Sequence, residues 1–309
     1  MSGHEPVLYE EVMAALAPRP GGMYVDGTIN GGGHAAGVLE RSAPQGRLLG
    51  VDLDREALEV ARETLANYGS RVQLVHGSFG HLDEIARRHG FYPAAGVLLD
   101  LGISTAQLTA RQRGFSFQLD GPLDMRLDPS EGITAADLVN SLPEAELADL
   151  LYEFGEERKS RRIARAIVKA RPLRTTTELA KVVARSLRRR GRIHPATRTF
   201  LALRIAVNDE LAVLSRGLKK AVDTLAPGGQ LVVIAFHSLE DRIVKNYFRA
   251  LARGEGDSSR PSVRLLTRKP IQPAAVERAR NPASRSAKLR ALVKLAESGE
   301  PTGAVTRQR

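Results

Sequence analysis

The 309-residue chain has no cysteine and no tryptophan. Without cysteine it has no disulfide, no thiolate zinc site, no iron–sulfur cluster and no thiol nucleophile. It also lacks a long hydrophobic run. The longest uninterrupted aliphatic and aromatic stretch is Leu231–Phe236, far below the roughly 18 residues of a membrane span. The opening residues, MSGHEPVLYEEV, contain no basic region leading into an apolar one, so no secretory signal is expected. These absences predict a soluble, cytoplasmic protein with no membrane partner.

Acidic charge is the scarcer sign. The 35 Asp and Glu residues stand against 46 Lys and Arg, for a formal charge of +11. Such an excess fits a polyanionic partner, or merely a solvated basic surface. Its distribution is uneven. Residues 1–150 carry 11 basic and 21 acidic side chains, residues 151–220 carry 19 and 6, and residues 241–309 carry 16 and 6. An acidic N-terminal half is joined to a basic C-terminal half.

The first hundred residues alternate apolar runs with helical periodicity. Met23–Ile29, Arg47–Asp52, Val72–Val75 and Ala95–Leu101 read as strands, and helices are expected after each of the first three. Asp54 is placed to cap the second of these helices. Strands and helices in alternation with short links predict an open parallel α/β sheet. From about 108 to 207 no strand pattern appears, and 144–154, 157–171 and 177–190 read as helices. Thr175 and Glu178 form a candidate capping box. One long helix is expected to open at Pro195, with an apolar stripe from Phe200 to Leu225 in steps of 3 and 4, and to stop at Pro227-Gly228-Gly229. Sheet patterning resumes at Gln230–Phe236, Val263–Arg268 and Lys288–Leu295, with a helix at 239–252. The predicted organisation is a discontinuous α/β domain (1–107 and 208–309) interrupted by a helical insertion (108–207), the candidate substrate-recognition part.

Two features point to a nucleoside cofactor. Gly31-Gly32-Gly33 follows the first strand and precedes a helix, where backbone N–H groups are free to meet a ligand. Asp52 ends the second strand 19 residues past Gly33, the position from which a carboxylate accepts both ribose hydroxyls. The glycine spacing does not match G-x-G-x-x-G, which disfavours a nicotinamide cofactor. Gly77-Ser78-Phe79 offers a face for adenine. Asp100 ends the fourth strand, where an amino-group methyltransferase places its polar acceptor. The late strands suit a Rossmann-like class I S-adenosylmethionine-dependent methyltransferase sheet, which ends in an antiparallel strand.

The chain resembles the ribosomal RNA small-subunit methyltransferase H (MraW) family. The resemblance rests on HEPVLYEEV, DGTINGGGH (26–34), DLGIS with Gln107 following, RGFSF (113–117), GPLDMR (121–126), GEER (155–158), HPATRTF (194–200), FHSLEDR (236–242) and NPASRSAKLR (281–290). It implies methyl transfer from S-adenosyl-L-methionine to N4 of a cytidine in the decoding region of 16S rRNA, whether as free rRNA or in the small ribosomal subunit. It puts Gly32, Gly33, His34, Asp52, Phe79, Asp100 and Gln107 on the cofactor. His34 and Gln107 rest on the resemblance alone, and at His34 backbone contact is expected to outweigh the imidazole.

The amino-methyltransferase tetrad (D/N/S)-P-P-(Y/F) is replaced here by Asp100-Leu101-Gly102-Ile103. Asp100 therefore has two candidate roles: accepting from the N4 amine, or holding the methionine amine of the cofactor. Phe115 or Phe117 could supply the missing aromatic face for an unstacked base, or pack the insertion onto the domain. His237 and Ser238 could touch the nucleotide or cap the next helix. No general base and no metal ligand is assigned. Methylation at cytosine C5 in RNA needs a thiolate attacking C6, so the absence of cysteine favours N4.

Three basic groups form the candidate RNA face: Arg158, Arg162, Arg165 and Lys169; Arg185, Arg188, Arg189, Arg190 and Arg192; and Arg264, Arg268, Lys269, Arg278, Arg280, Arg285, Lys288 and Arg290. Two other functions fit less well: a methyltransferase for protein or a small molecule, and a nonenzymatic RNA-binding assembly factor with a degenerate cofactor fold. A homo-oligomer is left open.

Overall fold

The computed structural model describes residues 6–187, 194–255 and 262–296. The predicted alternation is present: β1 (Met23–Asp26), α2 (Gly33–Arg41), β2 (Arg47–Asp52), α3 (Arg55–Thr64), β3 (Val72–His76), α4 (Leu82–Arg88) and β4 (Ala94–Asp100), preceded by α1 (Tyr9–Leu16). No element had been expected before Met23. Helix α1 buries Val12, Met13 and Leu16. Asp54 caps α3 by accepting the Glu56 N–H.

After the short helix α5 (Thr105–Thr109) come α6 (Ala135–Ser141), α7 (Glu144–Glu153), α8 (Ser160–Ala170), α9 (Thr176–Leu187) and α10 (Thr197–Asn208). Thr175 and Glu178 make the capping box at α9: each receives the other's backbone N–H. The chain then returns through α11 (Glu210–Thr224), β5 (Leu225–Ala235), α12 (Ser238–Ala252), β6 (Val263–Leu265), α13 (Ala275–Arg280) and β7 (Lys288–Lys294).

The seven strands form one Rossmann-like sheet, ordered β3-β2-β1-β4-β5-β7-β6. Strands β1 to β5 are parallel, and β7 runs antiparallel between β5 and β6. The continuous apolar runs of β2, β4 and β5 explain their central place. Leu49, Leu99 and Leu231 pack against one layer of helices, and Leu48, Leu98 and Val232 against the other. A third cluster contains only insertion residues, from Phe115 to Leu203.

The long helix expected after Pro195 is broken. Asp209 adopts the left-handed conformation (φ 49°, ψ 35°) and separates α10 from α11. The apolar stripe runs through the break because its two halves serve different cores. Phe200 and Leu203 join the insertion cluster, whereas Leu214 and Leu218 join the sheet cluster. Pro227-Gly228-Gly229 does not stop the helix, which ends at Thr224. Those residues bulge out of the start of β5, between the pairs Leu225–Ala94 and Gln230–Gly96.

Candidate active site

Parallel strands bring their C-terminal ends to one edge, where open α/β sheets bind ligands. Here β1, β2 and β4 all end in aspartate: Asp26, Asp52 and Asp100. Beside them Gly32 adopts φ 80° as the cap of α2, a conformation that costs glycine little. A Cβ on Gly33 would lie 2.5 Å from the Pro6 ring, so glycine there lets the N-terminal segment close over the turn.

Two adjoining pockets lie along this edge and share Thr28, Asn30, Leu101, Gly102 and Gln107. The smaller is walled by Asp52, Leu53, Phe79 and Leu127. The larger is bordered by Gly33, His34, Asp100, Ile103 and Phe236.

Asp52 is held rigidly. Its two oxygens accept the N–H groups of Asn30 and Asp54, each at 2.9 Å. Burial still raises its pKa to about 6. Burial likewise raises Asp26 to about 7, against the pull of the Thr28 N–H. Asp100 is pushed well above the ordinary carboxyl range by burial, then by the negative charges of Asp26 and Glu240. Its Oδ1 is buried without a hydrogen-bond partner among the described residues. Its Oδ2 lies 3.5 Å from His34 Nδ1. The His34 ring is itself buried, with Nε2 3.0 Å from the Val7 carbonyl. The structure therefore gives a defined place to the imidazole, which the backbone contact was expected to outweigh.

A ring of acids with one orphaned oxygen, beside an apolar wall, suits a ligand that brings hydroxyls and positive charge. S-adenosylmethionine has both: ribose hydroxyls to meet Asp52, and sulfonium and ammonium charges to offset Asp100. The donor set fits that cofactor.

Other residues take tasks the sequence did not reveal. Gln107 borders both pockets, but its amide is engaged. Oε1 accepts the Ser104 N–H and Nε2 donates to Asp54 Oδ2. Asp54 also meets the buried Arg113 at 2.8 Å. Arg113 donates onward to the carbonyls of Arg126 and Leu127, and Asn208 Oδ1 accepts the Leu127 N–H. Leu127 is thus fixed as a pocket wall, and Asp128 next to it meets His76 at 3.1 Å.

Phe115 is not available as a stacking face. It is 6% exposed, within the insertion core. Phe117 stacks on His194 and meets Phe200 edge-on. Both pack inside the insertion, which is neither stacking on a base nor packing of the insertion onto the domain. The aromatic that shares the larger pocket with Asp100 is Phe236. A signal for it existed: Ile234 pairs with Asp100 across β4 and β5, so Phe236 follows at the same edge. His237 caps α12 by accepting the Glu240 N–H. Ser238 Oγ donates to Glu156 Oε2 at 2.6 Å, and Arg242 joins it at 2.8 Å. Those bonds tie the insertion to α12.

Glu210, His237 and Glu240 bring ligand atoms within 4.8 Å of one another. The counter-charge in this group is Arg204, which grips Glu210 through two 2.8 Å bonds. Glu240 accepts the backbone N–H groups of Phe236 and His237.

On the surface, Arg158, Arg162, Arg165 and Lys169 are exposed, with Arg165 3.3 Å from Glu144. Arg264, Arg268, Lys269, Arg278, Arg280 and Arg285 are exposed as well, as is Arg185. Arg188, Arg189, Arg190 and Arg192 lie outside the described residues. Lys288 and Arg290 depart from the expected basic stripe. Both pair with Asp241, and Arg290 is buried, because they sit on β7 rather than on a surface helix. Among the described residues no helix is long and apolar enough to cross a membrane.

The chain is similar to known proteins over nearly its full length. The chain is 52% identical to the ribosomal RNA small subunit methyltransferase H of Syntrophobacter fumaroxidans, over 94% of this chain and 96% of that protein. It is 51% identical to the protein of the same name from Thermomicrobium roseum, over 96% and 95% of the two chains. The Geobacter sulfurreducens protein of that name is 51% identical, over 94% and 99%. A family model described as the MraW methylase family matches residues 1–295. The chain belongs to the MraW methylase family, and its methyl donor is S-adenosyl-L-methionine.

Proposed function

We propose that this protein methylates the exocyclic N4 of a cytidine in the decoding region of 16S rRNA. The observation that carries the reading is Asp100 Oδ1: a buried acceptor without a hydrogen-bond partner among the described residues, on a residue that lines the larger pocket together with Phe236. The names of the relatives support small-subunit rRNA as the substrate.

Cytosine N4 is a poor nucleophile because its lone pair is delocalised into the ring. Orienting that lone pair, and accepting a hydrogen bond from N4 as positive charge develops, lowers the barrier. Asp100 Oδ1 is suited to that acceptance, and the Phe236 ring to holding the unstacked base. Gly32, Gly33 and the backbone at His34 would bind the cofactor's methionine end, Asp52 its ribose and Phe79 its adenine. Bound there, S-adenosylmethionine supplies an electrophilic methyl group. The insertion, 108–207, would recognise RNA through Arg158, Arg162 and Arg165, with phosphates as the contacted groups.

The test is mass spectrometry of 16S rRNA from cells lacking this protein. N4-methylcytidine should disappear, and should return with the wild-type chain but not with Asp52→Ala. Unchanged N4-methylcytidine, or labelled methyl appearing in protein instead of rRNA, would overturn the assignment.

A further inference from the structure

Two contacts of His34 bear on where its protons lie. A backbone carbonyl only accepts, so the 3.0 Å contact with Val7 O places a proton on Nε2. A neutral ring then has a bare lone pair at Nδ1. That lone pair would face Asp100 Oδ2 at 3.5 Å. Two acceptors facing each other repel, so one proton must lie between them. It sits either on the carboxyl or on Nδ1. The separation suits an ion pair better than a short O–H···N hydrogen bond.

We propose that His34 is a positioning residue that holds this proton, so that Asp100 stays a carboxylate and its Oδ1 a negatively charged acceptor able to take a proton. The O–H bond of the acid breaks and an N–H bond at Nδ1 forms, with no other reactant. The surroundings demand such a device. Asp26 on β1 and Glu240 on α12 both act on Asp100 with negative charge. Tyr9 on α1 stacks over the imidazole, ring centroids 6.3 Å apart. Without the imidazolium that proton would stay on Oδ2, leaving Oδ1 a neutral carbonyl oxygen that accepts more weakly and cannot take a proton from the substrate amine. With it, a proton lost from N4 passes to Oδ1 and from there to solvent. The inference deepens the proposed function and rests on its role for Asp100.

The ring state is read without substrate or cofactor. In the full-length wild-type chain, histidine-ring ¹⁵N spectra near pH 7 should show His34 protonated on both nitrogens, the signal being assigned by its loss in His34→Gln. In Asp100→Asn the same ring should become neutral, with its proton on Nε2. A neutral His34 in the wild type would overturn the proposal. Kinetics supply the second readout. His34→Gln keeps an amide N–H for the Val7 carbonyl but carries no titrating proton. Its acid limb for methyl transfer to undermethylated small subunits should move to higher pH. The ratio of its rate at about pH 9 to that at about pH 6.5 should exceed the wild-type ratio about tenfold, for a displacement of about one pH unit. A loss equal at all pH values would mark His34 as merely structural. If instead Asp100→Asn keeps full methyl transfer, the proposed role of Asp100 falls while the ring state still stands or falls on the spectra.

Discussion

The sheet edge and the helical insertion treat carboxylates in opposite ways. At the sheet edge Asp26, Asp52 and Asp100 are buried with no lysine or arginine partner among the described residues, and burial raises all three. In the insertion Asp124, Asp137, Glu156 and Glu178 are held below their ordinary values. Burial alone would raise Asp124, but Arg126 brings it down. The Thr134 hydroxyl and N–H lower Asp137. Ser238 and then Arg242 lower Glu156, and the N–H groups of Arg174 and Thr175 lower Glu178. Insertion acids are satisfied by the fold and hold it together. Sheet-edge acids are left costly, and a group that destabilises the folded chain persists where it serves a ligand or a reaction.

The sharpest way to break that contrast is Asp100→Ala. Methyl transfer should fall about 10²–10⁴-fold, while S-adenosylmethionine affinity by calorimetry changes by less than about tenfold. Equal losses in both would mean that Asp100 holds the cofactor rather than the amine.

Arg113→Met tests a neighbouring acid that does pair with an arginine. Removing Arg113 leaves Asp54 buried without its counter-ion, which should cost about 3–5 kcal/mol in urea unfolding. A cost no larger than that of an exposed pair would remove Asp54 from the comparison.

A pH series on Asp26 comes next in size. Its folded-state value, about 7, stands above the model-compound 3.8. The folded chain therefore keeps a proton that the unfolded chain has lost, and stability from this group falls as pH rises from about 4 to about 7. In the cofactor-free protein, Asp26→Asn should match the wild type at low pH. At pH above 7 its Tm should be higher, by about 2–4 °C for each kcal/mol relieved. Parallel melting curves across the series would refute the buried charge. The smallest effect belongs to the exposed arginines. The double variant Arg158→Gln, Arg162→Gln should reduce the salt slope of rRNA affinity by about 1.4–1.8, at roughly 0.7–0.9 per lost phosphate contact. An unchanged slope would detach this face from RNA.

Much of the fold was legible because local patterns report local causes. Apolar runs ending in Asp52 and Asp100 announced buried parallel strands and their functional edge together. The helices of the insertion followed from periodicity and from the Thr175–Glu178 box. The break at Asp209 was hidden, because the apolar period is the same whichever core each half meets. Phe115 and Phe236 are equally aromatic in sequence, and only packing sends one into a core and the other to a pocket. Lys288 and Arg290 looked like phosphate binders until β7 brought Asp241 beside them.

Sequence alone determined the element types, the sheet edge that carries Asp52 and Asp100, the absence of thiol chemistry and the division of charge between the two halves. Each depends on residue type and spacing, which survive without coordinates. Tertiary structure alone decided which charges are neutralised, which aromatic shares the larger pocket with Asp100 and what His34 faces. Those depend on groups far apart in the chain: Asp54 with Arg113, Glu156 with Ser238, His34 with Asp100. Electrostatic and packing energies follow distance in space and burial, and neither is a property of position along the chain.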